Sequence, residues 1–483
     1  MKYLKISVMA VFLLPMLFSC ASAKFDQIGF DKAYQDGNYE LCMKMLKGRN
    51  YGKNNAALKN IDIGVLAHYA KQYEASAAHF NEGDRLLDAG NLDGVAQFES
   101  FYLNILNALN YYHQNKIEDA IVELKKADDI KIRAGRENKS SLWHIVDESG
   151  NIEMIRGFDE DEEPDSTLQE AYNTFGVRPA EINKGLPRKP TMEDLYHGSA
   201  TAYYLGALMR NASGDTDGAR LDKDYLRVLN PTASLNRMLS NALDAKETGA
   251  RLHIISFSGA IAAKEEISFY FPKEENGNAV FLSGISVFIG GTLFSIPPIR
   301  FKFAYPVVGE NTTKIDRIET VVTNAETGKS DTYSLIPLED FGEEVKKNNA
   351  LKARKEYQQN VSKSILGKLM AAISSGTAIF AARKAVEQAG SPIAQVAAQT
   401  ALDIAEAALT LALEDSDTSI RADVRQAKFL PAKASVTTIM LPPATYTVTV
   451  RYFHASLVLF EETFDNVQIK DKELKLLESI CLK

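Results

Sequence analysis

Cysteine is nearly missing: Cys20, Cys42 and Cys481 are the only three in 483 residues. Thiols so few and so far apart do not make a disulfide scaffold, and the expectation is two unpaired, mostly buried thiols at Cys42 and Cys481. An excess of one charge sign is missing too. Acids number 63 and bases 55, for a net charge of −8, and both are spread along the chain. A nucleic-acid binder would show a basic stripe, so none is expected as a partner. The seven histidines form no H-E-x-x-H, there is no C-x-x-C, and neither G-x-S-x-G nor G-x-G-x-x-G occurs. No metal, cofactor or catalytic residue is therefore assigned. Only a site assembled from distant positions would make this chain an enzyme.

Long hydrophobic runs are equally scarce, and the one at the start carries the strongest signal. Lys2 and Lys5 precede "ISVMAVFLLPMLF", an uncharged run of thirteen residues. That is short for a bilayer span and right for an export signal, so residues 1–20 are set apart from the fold. The signal ends in "LFSCASAK", which can be read in two ways. Leu17-Phe18-Ser19-Cys20 is a lipoprotein-type end, with Cys20 the acylated residue. Ala21-Ser22-Ala23 before Lys24 is an ordinary cleavage site and would release a soluble periplasmic protein after Ala23.

The chain as a whole has an ordinary globular composition, 45% hydrophobic and 24% charged. Residues 25–245 read as helical hairpins on a loose repeat. In "LNALNYYHQNKIEDAIVELKKADDI" a helix ending in Tyr111 and Tyr112 meets a polar turn. A second helix then carries Ala120, Leu124 and Ala127 on one face. The pattern returns with Cys42 and Leu46 after Gly37-Asn38. It returns again with Gly64, Ala67, Ser76, Phe80 and Gly83, and with Ala207, Ala219, Leu226 and Pro231. These positions resemble tetratricopeptide (TPR) repeats. The spacing departs from that family between Ser76 and Ala120, and residues 133–190 interrupt the array. The resemblance implies a concave face for a partner's peptide, lined by first-helix residues Tyr34, Tyr69, Tyr112 and Tyr203. The alternative for each is a ring in the hairpin core with its hydroxyl at the surface. The interruption holds Trp143 and an acidic loop, Asp159 to Asp165. It has calcium-like spacing, but Pro164 stands where such a loop needs Gly, so it reads as a solvated loop.

Near Ala250 the period changes. Residues 250–342 and 420–483 are rich in β-branched and aromatic residues and read as the two parts of a sandwich-like β domain. "TNAETGKS", residues 323–330, lacks the first Gly of a phosphate loop and reads as a hairpin turn. "VTTIMLPPATYTVTVRYF" reads as strand, Pro-rich turn, strand. Between the two parts, residues 343–415 form an inserted hairpin of Ala-, Ser- and Gly-rich helices broken at Gly390-Ser391-Pro392. Packing on the sheet, membrane contact and oligomerisation are the roles such a hairpin can take. The fold class is thus α+β. The signal, the repeats, "SGAIAAKEEISFYFP", "IRFKFAYP" and "DVRQAKFLPA…LPPATYTV" together resemble TPR-containing bacterial envelope lipoproteins of unassigned function. That resemblance implies an outer-membrane lipoprotein facing the periplasm or the cell surface, acting as an adaptor for protein partners. The rival readings are a hydrolase or transferase of envelope polymer with its site in the β domain, and a secretion- or pore-associated oligomer. The family resemblance favours acylation: mass spectrometry of the mature N-terminus is expected to find a lipidated Cys20, and an unmodified start at Lys24 would refute it.

Overall fold

A computed structural model describes residues 25–52, 55–89, 96–126, 144–146, 152–154, 198–243, 250–271, 286–289, 292–295, 300–310, 313–388, 391–471 and 473–482. The chain is mixed α and β, with helices toward the N-terminus and sheets toward the C-terminus. It divides into two compact units, Met1–Asn91 and Leu92–Lys483. The division falls inside the helical span that the sequence suggests.

The first unit contains α1 (Gln27–Gln35), α2 (Tyr39–Gly48), α3 (Ala56–Tyr69) and α4 (Tyr73–Asp88). The second opens with α5 (Ala96–His113), α6 (residues 117–126), α7 (Ala200–Ser213), α8 (Thr216–Leu229) and α9 (Ala233–Leu243). Four hairpins, α1–α2, α3–α4, α5–α6 and α7–α8, share one turn. Each first helix ends on a left-handed residue: Gly37 (φ 72°), Lys71 (59°), Asn115 (58°) and Gly214 (89°). The next N–H bonds back to the helix, Asn38 to Ala33 O at 2.8 Å and Gln72 to Ala67 O, Lys116 to Tyr111 O and Asp215 to Arg210 O at 2.9 Å. This C-terminal cap satisfies carbonyls that the helix leaves open and holds even Lys71 and Asn115 at positive φ. The second helix then buries Cys42, Ser76, Ala120 or Ala219 at matching places. A small residue is needed there because the helices nearly touch. Ser76 Oγ donates to Gly64 O at 2.7 Å, and Cys42 Sγ lies 3.9 Å from Phe30 O. Cys42 and Cys481 are both buried thiols outside any disulfide. Burial pushes the Cys42 thiol up to about 11, so it stays protonated.

The strands are β1 (His144–Val146), β2 (Ile152–Met154), β3 (Ala250–Ala260), β4 (Lys264–Phe271), β5 (Ser286–Ile289), β6 (Thr292–Ser295), β7 (Phe301–Val308), β8 (Arg317–Asn324), β9 (Ser330–Ser334) and β10 (Ile336–Asp340). After two long helices come β11 (Pro431–Leu441), β12 (Ala444–His454), β13 (Leu457–Ile469) and β14 (Leu474–Cys481). One sheet has the order β10-β11-β3-β14 and a second β13-β12-β8-β9. Only β14 runs parallel to its neighbour, β3; the other pairs within these sheets are antiparallel. Alternation along the strands sends Leu252, Ile254 and Ile439 of the first sheet, and Val322, Val448, Val450 and Tyr452 of the second, into one common core. His253, Ile255 and Phe257 point to the opposite face of the first sheet, where Phe257 meets Phe341.

Leu441-Pro442-Pro443-Ala444 does not close a hairpin. β11 lies in the first sheet and β12 in the second, so the prolines carry the chain around a corner between them. Proline has no N–H for a ladder, which suits it to a corner rather than to paired strands. Tyr446 Oη fastens the corner by donating to Pro442 O at 2.8 Å. Residues 323–330 do form the expected turn between β8 and β9, with Asn324 Oδ1 accepting from Glu326 N and Thr327 N and Gly328 at φ 68°.

Helix α10 (Phe341–Glu387) has 47 residues, about 70 Å at ~1.5 Å per residue, and α11 (Pro392–Thr418) runs back along it. Its first half packs on the β4–β7 pair. Tyr357 meets the rings of Phe269, Phe303 and Tyr305, while Asn349 and Asn360 donate to Pro306 O and Ala304 O. A buried pair, Lys368 Nζ to Asp417 Oδ1 at 3.0 Å, marks where α11 rejoins this packed half.

The closeness of the helices has a direct test. A Cβ at Gly64 would come within 2.6 Å of the Phe80 ring. Gly64→Ala is expected to destabilise the first unit by about 1–3 kcal/mol, seen as a lower midpoint in thermal unfolding followed by circular dichroism.

Candidate functional site: an apolar face on the α7–α8 hairpin

The α7–α8 hairpin is built on caps. Ser199 Oγ accepts from Thr201 N and Ala202 N to start α7, and Gly214 ends it in the left-handed region. Asp215 Oδ1 accepts from Gly218 N at 2.9 Å to start α8. That bond, with the Arg210 guanidinium, holds the Asp215 carboxyl below its usual range. Arg210 also reaches the buried Asp222 at 2.9 Å, and Gly206 is bare of a side chain where Asp222 packs. Ala219 and Leu226 are the buried apolar face of α8.

A second apolar row runs along α8 in the open. Leu221, Tyr225 and Val228 are 49%, 48% and 78% exposed. They lie four and then three residues apart, on one helical stripe. Counted from the left-handed residue of each turn, they fall where α4 has Ala78, Glu82 and Arg85, and there Glu82 and Arg85 pair at 2.7 Å. The shared turn therefore does not demand apolar residues at these places. Beneath the row, Tyr203 stacks on Tyr225 with ring centroids 5.1 Å apart. This is a surface with large apolar side chains and a preset Tyr225 ring, bordered by the exposed Arg220–Asp224 pair, the features of an apolar docking patch with a charged rim.

The four tyrosines suggested by the sequence fall in three places. Tyr34 and Tyr69 come together in the first unit through Tyr39, with centroids 5.9 and 5.4 Å from it. Burial raises the Tyr34 phenol far above its usual range, so it is never charged at physiological pH. Tyr112 is bound to the protein's own strand: its hydroxyl accepts from Leu476 N at 2.9 Å and donates to Leu474 O at 3.2 Å on β14. Beside it, His113 Nε2 lies 2.9 Å from the buried carboxylate of Glu478. Tyr203 is buried under Tyr225 on the α7–α8 hairpin. Reasoning from the repeat names Tyr203, which lies beneath this row, and leaves out Leu221, Tyr225 and Val228. Their own helical spacing is the available signal, and it is masked by the stronger Ala219–Leu226 core row on the same helix. Cys20 and the acidic loop Asp159 to Asp165 lie outside the described residues.

Other buried polar groups serve joints. His253 Nδ1 bonds Thr438 Oγ1 at 2.9 Å, and Tyr204 Oη meets the same oxygen at 3.3 Å. Burial, then the nearby Arg251, pushes the His253 imidazole down to about 3, so it is neutral. In the core between the sheets, Ser256 Oγ donates to Tyr452 Oη, which donates to Ser479 Oγ, which donates to Glu462 Oε2. Among the described residues no group of three or more His, Cys, Asp or Glu is placed to hold a metal, and no helix is long and apolar enough to cross a membrane. No protein-family model, curated protein or solved structure matches the chain.

Because the Tyr112 hydroxyl bonds both Leu474 O and Leu476 N on the outer edge of β14, Tyr112→Phe strands a carbonyl and an N–H. A loss of about 1–3 kcal/mol is expected, with faster amide exchange at Leu476 than in the unsubstituted protein, as read by hydrogen exchange and mass spectrometry.

Proposed function

We propose that the protein is an adaptor of the bacterial cell envelope, exported and held by a lipid on Cys20, that docks a protein partner through TPR-like hairpins. The observation that carries this is the exposed row Leu221, Tyr225 and Val228 over Tyr203. Four hairpins with one turn geometry support the TPR-like reading, and the core shared by two four-stranded sheets supports a sandwich-like β domain. The lipoprotein-type end of the signal run supports anchoring, which would concentrate the docking face at a membrane surface. Membership among TPR-containing bacterial envelope lipoproteins belongs to the same proposal.

A second reading, self-association through residues 343–415, has one observation in its favour. α11 packs along α10 with Ala398, Leu402 and Ala405 half-buried, and leaves Val396 68% exposed. Among the described residues the first reading has three exposed large apolar side chains in one row, against Val396 alone on α11.

The test is crosslinking and affinity capture from detergent-solubilised envelopes. The double variant Leu221→Gln with Val228→Glu keeps Tyr225 on Tyr203 and touches only exposed positions, so its unfolding midpoint should hardly move. Recovery of a stoichiometric partner is expected with the unsubstituted protein and a loss of at least about tenfold with the variant, since each apolar side chain buried at an interface contributes about 1.5–3 kcal/mol. Equal recovery by both would remove this face from the mechanism. If no partner is captured and the chain elutes as a dimer that dissociates on Val396→Asp, self-association through the long hairpin is the better account.

A further inference from the structure

One carboxyl group fastens the start of the α7–α8 hairpin to the first sheet. Glu339, near the end of edge strand β10, is half-buried as a residue, but its carboxyl is turned into the joint with α7. There its Oε2 accepts from Thr201 N at 2.7 Å and from the Ser199 hydroxyl. Both donors sit at the N-terminus of α7. The next residue, Asp340, caps a different helix: its Oδ1 accepts from Glu343 N at 3.1 Å to start α10. Two consecutive carboxyl groups thus hold the first turns of two helices, one in an enclosed joint and one at the surface.

We propose that the Glu339–Ser199–Thr201 joint is a proton-operated latch that sets how firmly the α7–α8 hairpin is seated on the sheet edge. Two opposed effects meet at this carboxyl. Burial disfavours its charge; the α7 amide, the Ser199 hydroxyl and the helix dipole favour it. Burial is the larger, the like charge of Glu344 adds to it, and the group is pushed up to about 7. Neighbouring cations are engaged elsewhere. On β11, Lys433 lies 3.6 Å from Asp340. On α10, Lys347 pairs with Glu344 at 2.8 Å and Lys346 with Glu343 at 2.9 Å. On α7, Arg210 pairs with Asp222 and Asp215 at the far end, and Arg237 of α9 is exposed to solvent. Below neutrality Glu339 is a neutral acid whose Oε2 still accepts both bonds. As pH rises, the carboxyl loses its proton to water and a charge is left in the enclosed joint.

The direction comes from linkage. The folded-state value lies above that of an unfolded Glu, so the folded protein binds the extra proton between the two. Stability is full below the unfolded value and is lost as pH rises through about 7. Between pH 6 and pH 8 the opening equilibrium of the joint should rise about tenfold. Through the adaptor reading, on which this one consequence rests, the docking face would be held most firmly in mildly acidic surroundings and less firmly above neutrality.

The test uses the full chain and no partner, so it stands whether or not the docking reading does. Thermal unfolding is measured from pH 5.5 to 8.5 for the unsubstituted protein and for Glu339→Gln, which keeps an acceptor oxygen and cannot ionise. The unsubstituted midpoint is expected to fall relative to that of the variant between pH 6 and 8, corresponding to the tenfold change. Parallel curves would overturn the latch. Should Glu339→Gln not fold, amide exchange at Thr201 and Ala202 in the unsubstituted chain decides. After correction for intrinsic base catalysis it should quicken about tenfold from pH 6 to 8, and an unchanged corrected rate would overturn the proposal.

Discussion

A four-stranded sheet has two open edges, and in this protein's β10-β11-β3-β14 sheet both are tied to helices by side chains that bond the strand backbone. At one edge the Tyr112 hydroxyl takes the N–H of Leu476 and gives its proton to the carbonyl of Leu474. At the other, Asn230 Nδ2 donates to Leu338 O at 2.8 Å, beside the Glu339 bonds to α7. Bare edge groups would otherwise invite pairing with another chain. The helices of the second unit are located by these polar contacts as much as by apolar burial, because a hydroxyl that must meet one carbonyl and one N–H permits a single register. That constraint explains why the α5–α6 and α7–α8 hairpins belong to the same compact unit as the sheets.

The same device holds the return from the long helical hairpin. Residues 419–430 have no regular ladder, yet they are pinned at intervals. Glu266 Oε2 accepts from Ala422 N, Glu356 Oε2 accepts from Asp423 N, and the Gln426 side chain bonds both Lys264 N and Ala262 O. Backbone groups that lack a strand partner must find a side chain or water, and here side chains from β4, α10 and the strap itself supply them. This gives the sequence "ADVRQAKFLPA" a physical role. Asp423 and Arg425 pair with each other through two short bonds, Gln426 anchors the strap, and Phe429 and Leu430 are buried as the chain enters β11.

Local features of this fold are legible in the sequence, and the features set by distant contacts are not. Gly37, Gly214 and the small residues Cys42, Ser76, Ala120 and Ala219 announce the four hairpins, because a tight turn and a close helix pair each restrict the residue type at one place. The β8–β9 turn at Asn324 is equally plain. The joint at Tyr112 is not, since its partners lie more than three hundred residues away and an aromatic at a helix end serves a core, a partner or a strand edge alike. The division after Asn91 is hidden for the same reason: helices lie on both sides of it, and contacts with the sheets set the later ones apart. Pro442-Pro443 reads only as a Pro-rich turn between strands, because a hairpin and a corner between sheets use the same residues.

The candidate site shows the cost of reading a helix by its strongest period alone. Ala219 and Leu226 define the buried apolar face of α8, with Asp222 between them held by Arg210. Leu221 and Val228 then have no part in the hairpin's own core, Tyr225 touches it through Tyr203, and the α3–α4 hairpin, with Ala78, Glu82 and Arg85 at the same places, forms without an apolar row there. Residues that folding does not require and that water does not favour point to something outside the chain. Tyr203 strengthens the inference. A buried ring stacked under an exposed one fixes Tyr225 before any partner arrives, so less side-chain freedom is lost on binding than a lone surface tyrosine would lose. The Glu339 joint grips the first turn of α7, the helix that carries Tyr203, so the fixed ring and the proton-sensitive seat belong to one hairpin.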